Sequence, residues 1–361
     1  MSILKTVFLL ITFVLVGVWC SCVHAKDTIY SGDKIQGTQT VYHLNPESLA
    51  PGLHRFYLQA GWRNSGMPIY VPVIIIKGTA NGPRLTLTAA VHGDELNGIA
   101  TIHELIKEID YQALSGIVVA VPGLNQPALN TNTRHYVTSN GSGNKTNLNR
   151  IAPGDISKGG AQAYMARIWQ GLMMEDSDLA VDLHTQTTGT AYTYYAFADV
   201  RNKKAEKIAM LMGPDVIKED EGVNGTLETT FMQKGIPAIT LELGEPRRFQ
   251  ADMIYRSVKG IKNVMRAWKM LDGEYENLSS KTYVGKNISN ISADIGGIAF
   301  LKVGLLDKVE KGQILATLND PLGREIANYK APSNGIVVAI ATYPLREEGS
   351  LLVRLLTEIR P

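Results

Sequence analysis

From residue 69 to about residue 271 the chain alternates between short apolar runs and segments of helical spacing, and this alternation restricts the fold more than any other feature. YVPVIII, RLTLTAAV, GIVVAV, LAVDL and PAITLEL read as strands. LNGIATIHELIKEI sets Leu96, Ile99, Ile102, Ile106 and Ile109 on one side of a helix. AQAYMARIWQGLM, KKAEKIAMLMG and DMIYRSVKGIKNVMRAWKML have the same spacing. Apolar strands that alternate with helices predict an α/β domain over 69–271, with a mostly parallel or mixed sheet and helices on both faces. In such sheets, sites form beyond the carboxyl ends of the strands.

The flanking segments read differently. Residues 26–68 carry turn signals at SGD, NPE and PG, which predict a small β-rich extension packed on the sheet. DGEYENLSSKT begins a polar linker over 272–282. From residue 283 to the end, short strands and tight turns without helical period predict a small all-β domain. At the start, Lys5 precedes the apolar run TVFLLITFVLVGV and the small-residue site VHA, which reads as a secretory signal peptide over 1–25. The apolar run falls short of the ~20 residues that a membrane span needs. The expectation is therefore an exported protein, periplasmic or extracellular, with no stable span after cleavage. An uncleaved anchor is the alternative.

Charge and cysteine content exclude several chemistries. The formal net charge is +2, and no basic cluster interleaved with aromatics is present, so no nucleic-acid partner is expected. Both cysteines, Cys20 and Cys22, lie in the leader. A chain cleaved after Ala25 has no thiol for a disulfide, a ligand or a nucleophile. A metal would have to be held by His, Asp or Glu.

Four short stretches carry candidates for that role. AAVHGDELNG ends an apolar run on His92 and places Glu95 three residues later, with Gly93 between them for a sharp turn. A His-x-x-Glu pair can aim both side chains at one point, as a catalytic zinc site requires. The same residues also read as a loop histidine followed by acids favoured at a helix N-terminus. LAVDLHT puts Asp182 and His184 at the end of another strand, on the same predicted edge. Asp182 is either an orienting carboxylate or a plain structural acid. PAITLELGEP buries Glu242 in an apolar strand, which is costly unless the carboxylate is paired or functional. Beside a metal-bound water it is placed to move a proton. Glu245 is the competing acid. The fourth stretch runs from Asn125 to Arg150 and holds Arg134 and Arg150, which could polarise a carbonyl or grip a carboxylate, or simply be solvated.

HGDE, RHY…NLNR, DLHT and TLELG, in that order and spacing, resemble the succinylglutamate desuccinylase and aspartoacylase family, of the wider zinc-carboxypeptidase fold. The resemblance covers roughly residues 65–270. It implies a single zinc ion per chain held by His92, Glu95 and His184. It implies Glu242 as general base and then acid, and Arg134 as the group that polarises the carbonyl. Asn149 and Arg150 would recognise a substrate carboxylate. The chain departs from the family where a DLNR-like element reads NLNR, so that Asn147 replaces an acid, and where SNGSGNK lengthens the preceding loop. The C-terminal stretches KVEKGQILATL and APSNGIV resemble the biotinyl/lipoyl hairpin fold. Its turn, NDPLGRE, lacks the lysine of a carrier domain, and Lys330 lies away from the tip. This domain is expected to pack beside the active site and narrow it.

The expected function is a zinc-dependent hydrolase that cleaves the amide of an N-acyl amino acid or related small-molecule acyl amide. An exported metallocarboxypeptidase with the same ligands, and a non-catalytic binding protein that keeps the fold, are the alternatives.

Overall fold

A computed structural model of the chain describes residues 27–137, 145–278 and 281–360. The signal peptide read over residues 1–25 and most of the SNGSGNK insertion lie outside the described residues. Strands β1 (Ile29–Ile35), β2 (Thr38–His43), β3 (Gly52–Trp62) and β4 (Pro68–Lys77) come first. They are followed by β5 (Ala80–Ala89), α1 (Asn97–Glu108), β6 (Ser115–Pro122), the short α2 (Gln126–Leu129) and the hairpin β7 (Tyr136–Val137) and β8 (Lys145–Thr146). Next are α3 (Gly160–Gly171), β9 (Leu179–His184), β10 (Thr190–Tyr192), β11 (Tyr194–Ala198), α4 (Lys203–Met212), β12 (Val216–Glu219), α5 (Leu227–Gln233), β13 (Ala238–Leu243) and α6 (Ala251–Ala267). The C-terminal strands are β14 (Tyr283–Ser292), β15 (Gly297–Leu301), β16 (Lys308–Val309), β17 (Ile314–Asn319), β18 (Glu325–Lys330), β19 (Gly335–Ala341), β20 (Leu345–Arg346) and β21 (Leu351–Ile359).

A single 15-stranded mixed sheet runs through the molecule in the order β1-β2-β3-β4-β6-β5-β9-β13-β11-β12-β14-β21-β19-β10, with β16 joined to β19. Its centre is parallel: β6, β5, β9 and β13 all run the same way. Residues 29–62 extend this sheet through β1, β2 and β3. The C-terminal strands enter it where β14 pairs with β12, and β15, β17, β18 and β20 form a second, four-stranded sheet.

Helices cover both faces. Leu85, Leu87, Val181, Leu183, Ile239 and Leu241 point into one core, with Ile102 of α1, Ile208 of α4 and Ile261 of α6. The opposite face packs Met165, Ile168 and Trp169 of α3 and Phe231 of α5 around Ala180 and Ala238. α4 starts at Asn202, whose side chain accepts from the Lys204 and Ala205 N–H groups, and stops at Gly213 in the left-handed region. α5 has no apolar stripe long enough to mark it in the sequence, and is set by the Thr226 side chain accepting from the Thr229 N–H.

The segment between β5 and α1 corrects the expected turn. β5 ends at Ala89, and the backbone reverses at Ala90, whose φ is 55°. Buried Asn125 fixes this bend: its N–H donates to the Ala90 carbonyl and its side-chain NH₂ to that of Val91. Gly93 is not in the left-handed region and is required for space instead. A Cβ there would meet the Ala128 carbonyl carbon and the Leu129 nitrogen of α2 at 2.2 Å. Gly98 plays a similar part, because its Cβ would lie 2.7 Å from that of Leu183. α1 begins at Asn97, not Leu96, and Asn97 ties it to the end of β13 by donating to the Leu243 carbonyl.

Because the neighbours of Gly93 are backbone atoms, they can yield only by moving α2. Gly93→Ala should lower stability by about 1–3 kcal/mol, read as the urea midpoint of the chelator-treated protein. An unchanged midpoint would mean that α2 is free to give way.

Candidate metal and active site

The three parallel strands at the centre bring the separated stretches together. β9 lies between β5 and β13, and Glu242 sits directly beside His184 in the β9–β13 register. His92 and Glu95 leave the end of β5, His184 ends β9, and Glu242 is near the end of β13. Alternate residues of these strands, Thr86, Thr88, Asp182, His184, Thr240 and Glu242, share one buried face. The site is therefore a polar patch on an otherwise apolar sheet, at its carboxyl edge.

Glu95 is the hub. Its side chain has no exposed surface, and its two oxygens face different histidines: Oε1 is 2.9 Å from His92 Nδ1 and Oε2 is 2.9 Å from His184 Nδ1. Arg134 Nη1 donates to Oε1, and the Thr185 N–H donates to Oε2 at 3.1 Å. Burial pushes the Glu95 carboxyl up, but His92, His184 and Arg134 together outweigh it and hold the group well below the usual carboxylate range. The donor atoms of His92, Glu95 and His184 all lie within 4.8 Å of one another, and all three residues are buried. Two imidazoles and a carboxylate are a donor set that suits zinc, whereas calcium and magnesium prefer oxygen shells.

The far sides of the imidazoles are also occupied. His184 Nε2 is 2.7 Å from Asp182 Oδ2, whose other oxygen accepts from Thr88 Oγ1 at 2.6 Å. Asp182 is thus in contact with a candidate ligand, and is not a free structural acid. His92 Nε2 is 3.0 Å from Asn147 Oδ1.

Glu242 lies in the same cleft. It is 8% exposed, and its Oε2 has no hydrogen-bond partner among the described residues. Burial pushes its carboxyl up to about 8, against a smaller opposing pull from His184. The competing acid Glu245 points away, 3.4 Å from Arg248, and does not line the cleft. Asn149 is buried. Its Oδ1 accepts from the Leu227 N–H at 2.8 Å, which turns its NH₂ toward His184. Arg150 reaches the cleft wall while bonding the Asn149 carbonyl. Six of the residues singled out in the sequence, His92, Arg134, Asn149, Arg150, His184 and Glu242, line one cavity, and Glu95 lies behind its wall in contact with His92, His184 and Arg134.

That cavity is about 340 Å³ and has further walls that the sequence reading missed. Gln186, Tyr192, Glu228 and Thr240 line it, as does Arg354 from β21. Arg354 donates to the Tyr192 hydroxyl and, from Nε, to Asn290 Oδ1 at 2.7 Å. Tyr192 sits in β10, which pairs with β19 of the C-terminal strands. The loop after His184 is gripped from the same side, because Gly189 O accepts from the Thr342 N–H at 2.9 Å and from Arg346 at 3.2 Å. No local pattern in the sequence marks Arg354, which lies far along the chain from the ligands. Lys330 is exposed at the far end of β18 from the turn that precedes the strand, which is closed by Arg324 and Asp320.

Comparison with known proteins gives the family and the fold. Residues 81–268 match the succinylglutamate desuccinylase/aspartoacylase catalytic domain. The chain is 24% identical over 284 residues to the N-alpha-acetyl-L-2,4-diaminobutyric acid deacetylase of Halomonas elongata, covering 75% of this chain and 81% of that one. It is also 24% identical over 230 residues to succinylglutamate desuccinylase of Pseudomonas aeruginosa, covering 60% of this chain and 66% of that one. The product-bound ectoine utilization protein EutE (DoeB) of Ruegeria pomeroyi superposes with a TM-score of 0.75 at 23% identity, over 85% of this chain and 96% of that one. A succinylglutamate desuccinylase/aspartoacylase of Rhodobacter sphaeroides gives 0.75 at 20% identity, over 86% and 97%. These superpositions establish a common fold. With over half of its length matched by the catalytic-domain model, the chain belongs to the succinylglutamate desuccinylase/aspartoacylase family.

Proposed function

We propose that this protein is a zinc-dependent amidohydrolase that removes the acyl group from an N-acyl amino acid. The observation that carries the reading is the convergence of His92, Glu95 and His184 beside a cavity lined by His92, His184 and Glu242, whose buried Oε2 is unpaired among the described residues. The deacetylase and desuccinylase named among the relatives support a deacylase over a peptidase. The leader-like order of residues 1–25 supports an exported enzyme.

His92, Glu95 and His184 would hold the zinc, whose chemistry when bound is to lower the pKa of a water and polarise a carbonyl. Glu242 does the proton work. Its Oε2, without a donor among the described residues, takes the proton of the attacking water and delivers it to the nitrogen of the leaving amine. Burial suits it to both steps, because a carboxyl that ionises near neutrality accepts and returns a proton at similar cost. Arg134 is bonded to Glu95 and so stands at the metal cluster, where its remaining N–H groups can face a carbonyl oxygen. Asn149 and Arg150 line the wall that would fix the substrate carboxylate.

The first measurement is metal content of the purified full chain. Near-stoichiometric zinc is expected in the parent and in Glu242→Gln, and little in Glu95→Ala. Against a panel of N-acyl amino acids and peptides, Glu242→Gln should lose about 10²–10⁴-fold in turnover. A parent that stays metal-free when zinc is offered would leave the binding-protein alternative, and turnover of peptides alone would leave the carboxypeptidase.

A second outcome follows from the raised Glu242 carboxyl in chelator-treated protein. Its unfolded value is the ordinary 4.5 and its folded value is about 8. Between those pH values the folded chain keeps a proton that the unfolded chain has released, so stability falls as pH rises. The metal-free Glu242→Gln variant should therefore gain on the parent steadily from about pH 4.5 to 8, measured by urea midpoints. A constant difference across that window would refute the shift.

A further inference from the structure

The two imidazoles that face Glu95 are backed by different chemistry. The backing of His184 is a carboxylate, Asp182 Oδ2 at 2.7 Å. The backing of His92 is an amide, Asn147 Oδ1 at 3.0 Å. The identity of that amide atom is settled by a second contact. Asn147 Oδ1 also lies 3.0 Å from the backbone N–H of Asn149, which can only donate. The atom facing His92 is therefore the oxygen, and Asn147 is an acceptor on both sides. An acceptor at Nε2 keeps a proton on that nitrogen, so when a metal is held the His92 lone pair is at Nδ1, which lies 2.9 Å from Glu95 Oε1. His184 is fixed the same way, with Nε2 toward Asp182 and Nδ1 toward Glu95 Oε2. The Asn149 NH₂, 3.5 Å from His184 Nε2, is too distant to displace the Asp182 contact.

We propose that Asn147 is a positioning residue that fixes the tautomer and ring plane of His92 with a neutral acceptor, so that the metal is held by one strongly backed and one weakly backed imidazole. This rests on the reading of His92, Glu95 and His184 as a metal site. A carboxylate behind an imidazole raises its basicity, and an amide does so less. The chain thereby holds its metal less tightly than it could. It also passes less electron density to it, leaving the ion a stronger electrophile. In this sequence the NLNR stretch puts an amide where the resembled DLNR-like pattern has an acid.

The test compares Asn147→Asp, Asn147→Ala and the parent as full chains. Zinc affinity is read by competition with a chromophoric chelator, and the visible spectrum is read after cobalt substitution. Asp caps the short helical turn Leu148–Arg150 as well as Asn does, so Asn147→Asp isolates the charge, while Asn147→Ala also removes the cap. Asn147→Ala should bind zinc roughly 10–100-fold more weakly. Asn147→Asp should bind it more tightly than the parent and shift the cobalt bands, with an unchanged metal-free urea midpoint. Equal affinity and identical cobalt spectra in the parent and Asn147→Asp would overturn the proposal while leaving the metal site standing. A parent that binds no zinc would remove the metal site itself.

Discussion

The structure depends on burying one carboxylate. Glu95 has no exposed surface, and an isolated charge in that position would be prohibitively costly. What makes it tolerable is the ring of partners around it: two imidazoles, the Arg134 guanidinium and the Thr185 N–H. Those partners come from the ends of β5 and β9 and from the loop before β7. They meet only if the parallel strands are adjacent and in register. The Ala90 bend, the Asn125 side chain and the bare Cα of Gly93 all serve that placement. Removing one partner of a buried charge leaves the others uncompensated, so the cluster stands or falls as a unit.

Much of this was legible in the sequence because the strands announce themselves. LTLTA, AVDLH and AITLEL were read as apolar runs, and their odd-numbered residues do fill one core. Their even positions, apart from Ala180 and Ala238 at the amino ends, are polar in all three. Thr86, Thr88, Asp182, His184, Thr240 and Glu242 form one face, and that alternation is the site written in period two. The acids after His92 read equally well as helix caps, but α1 begins at Asn97 and its cap, Leu96, makes no side-chain bond. Glu95 belongs to the cluster instead. The sequence around Gly93 suggests conformational freedom, whereas the constraint is the closeness of α2, a contact no local window can reveal.

The C-terminal strands mark where local reading ends. β14 and β21 continue the central sheet, and β19 captures β10, which follows the His184 loop. Arg354 and Tyr192 therefore reach the cleft through pairings between distant segments. Neither residue sits in a pattern that signals a site. Arg354 stacks over the Tyr192 ring, 5.4 Å from its centroid, and its Nε is held by Asn290. The guanidinium is thus oriented before any ligand arrives, which lowers the entropic cost of using it. A strand pairing that fixes a loop beside a ligand also fixes that ligand, so the β region and the α/β region form one site-building unit.

Two carboxylates in the cleft are driven in opposite directions, and this division of labour follows from their neighbours. Burial acts on both. Glu95 is surrounded by cations and donors and stays ionised. Glu242 lies one strand further along the sheet, where Oε2 finds no donor among the described residues, and its carboxyl is held near 8. Its neighbours in the field include Glu95 itself, which pushes it up, and His184, Arg134 and Arg354, which pull it down. Ionising Glu95 therefore helps to keep a proton on Glu242, so the group that anchors the cluster also raises the carboxyl beside it. Two acids whose surroundings drive them apart in this way can share one cavity and perform different tasks, which a pair of equivalent carboxylates could not do.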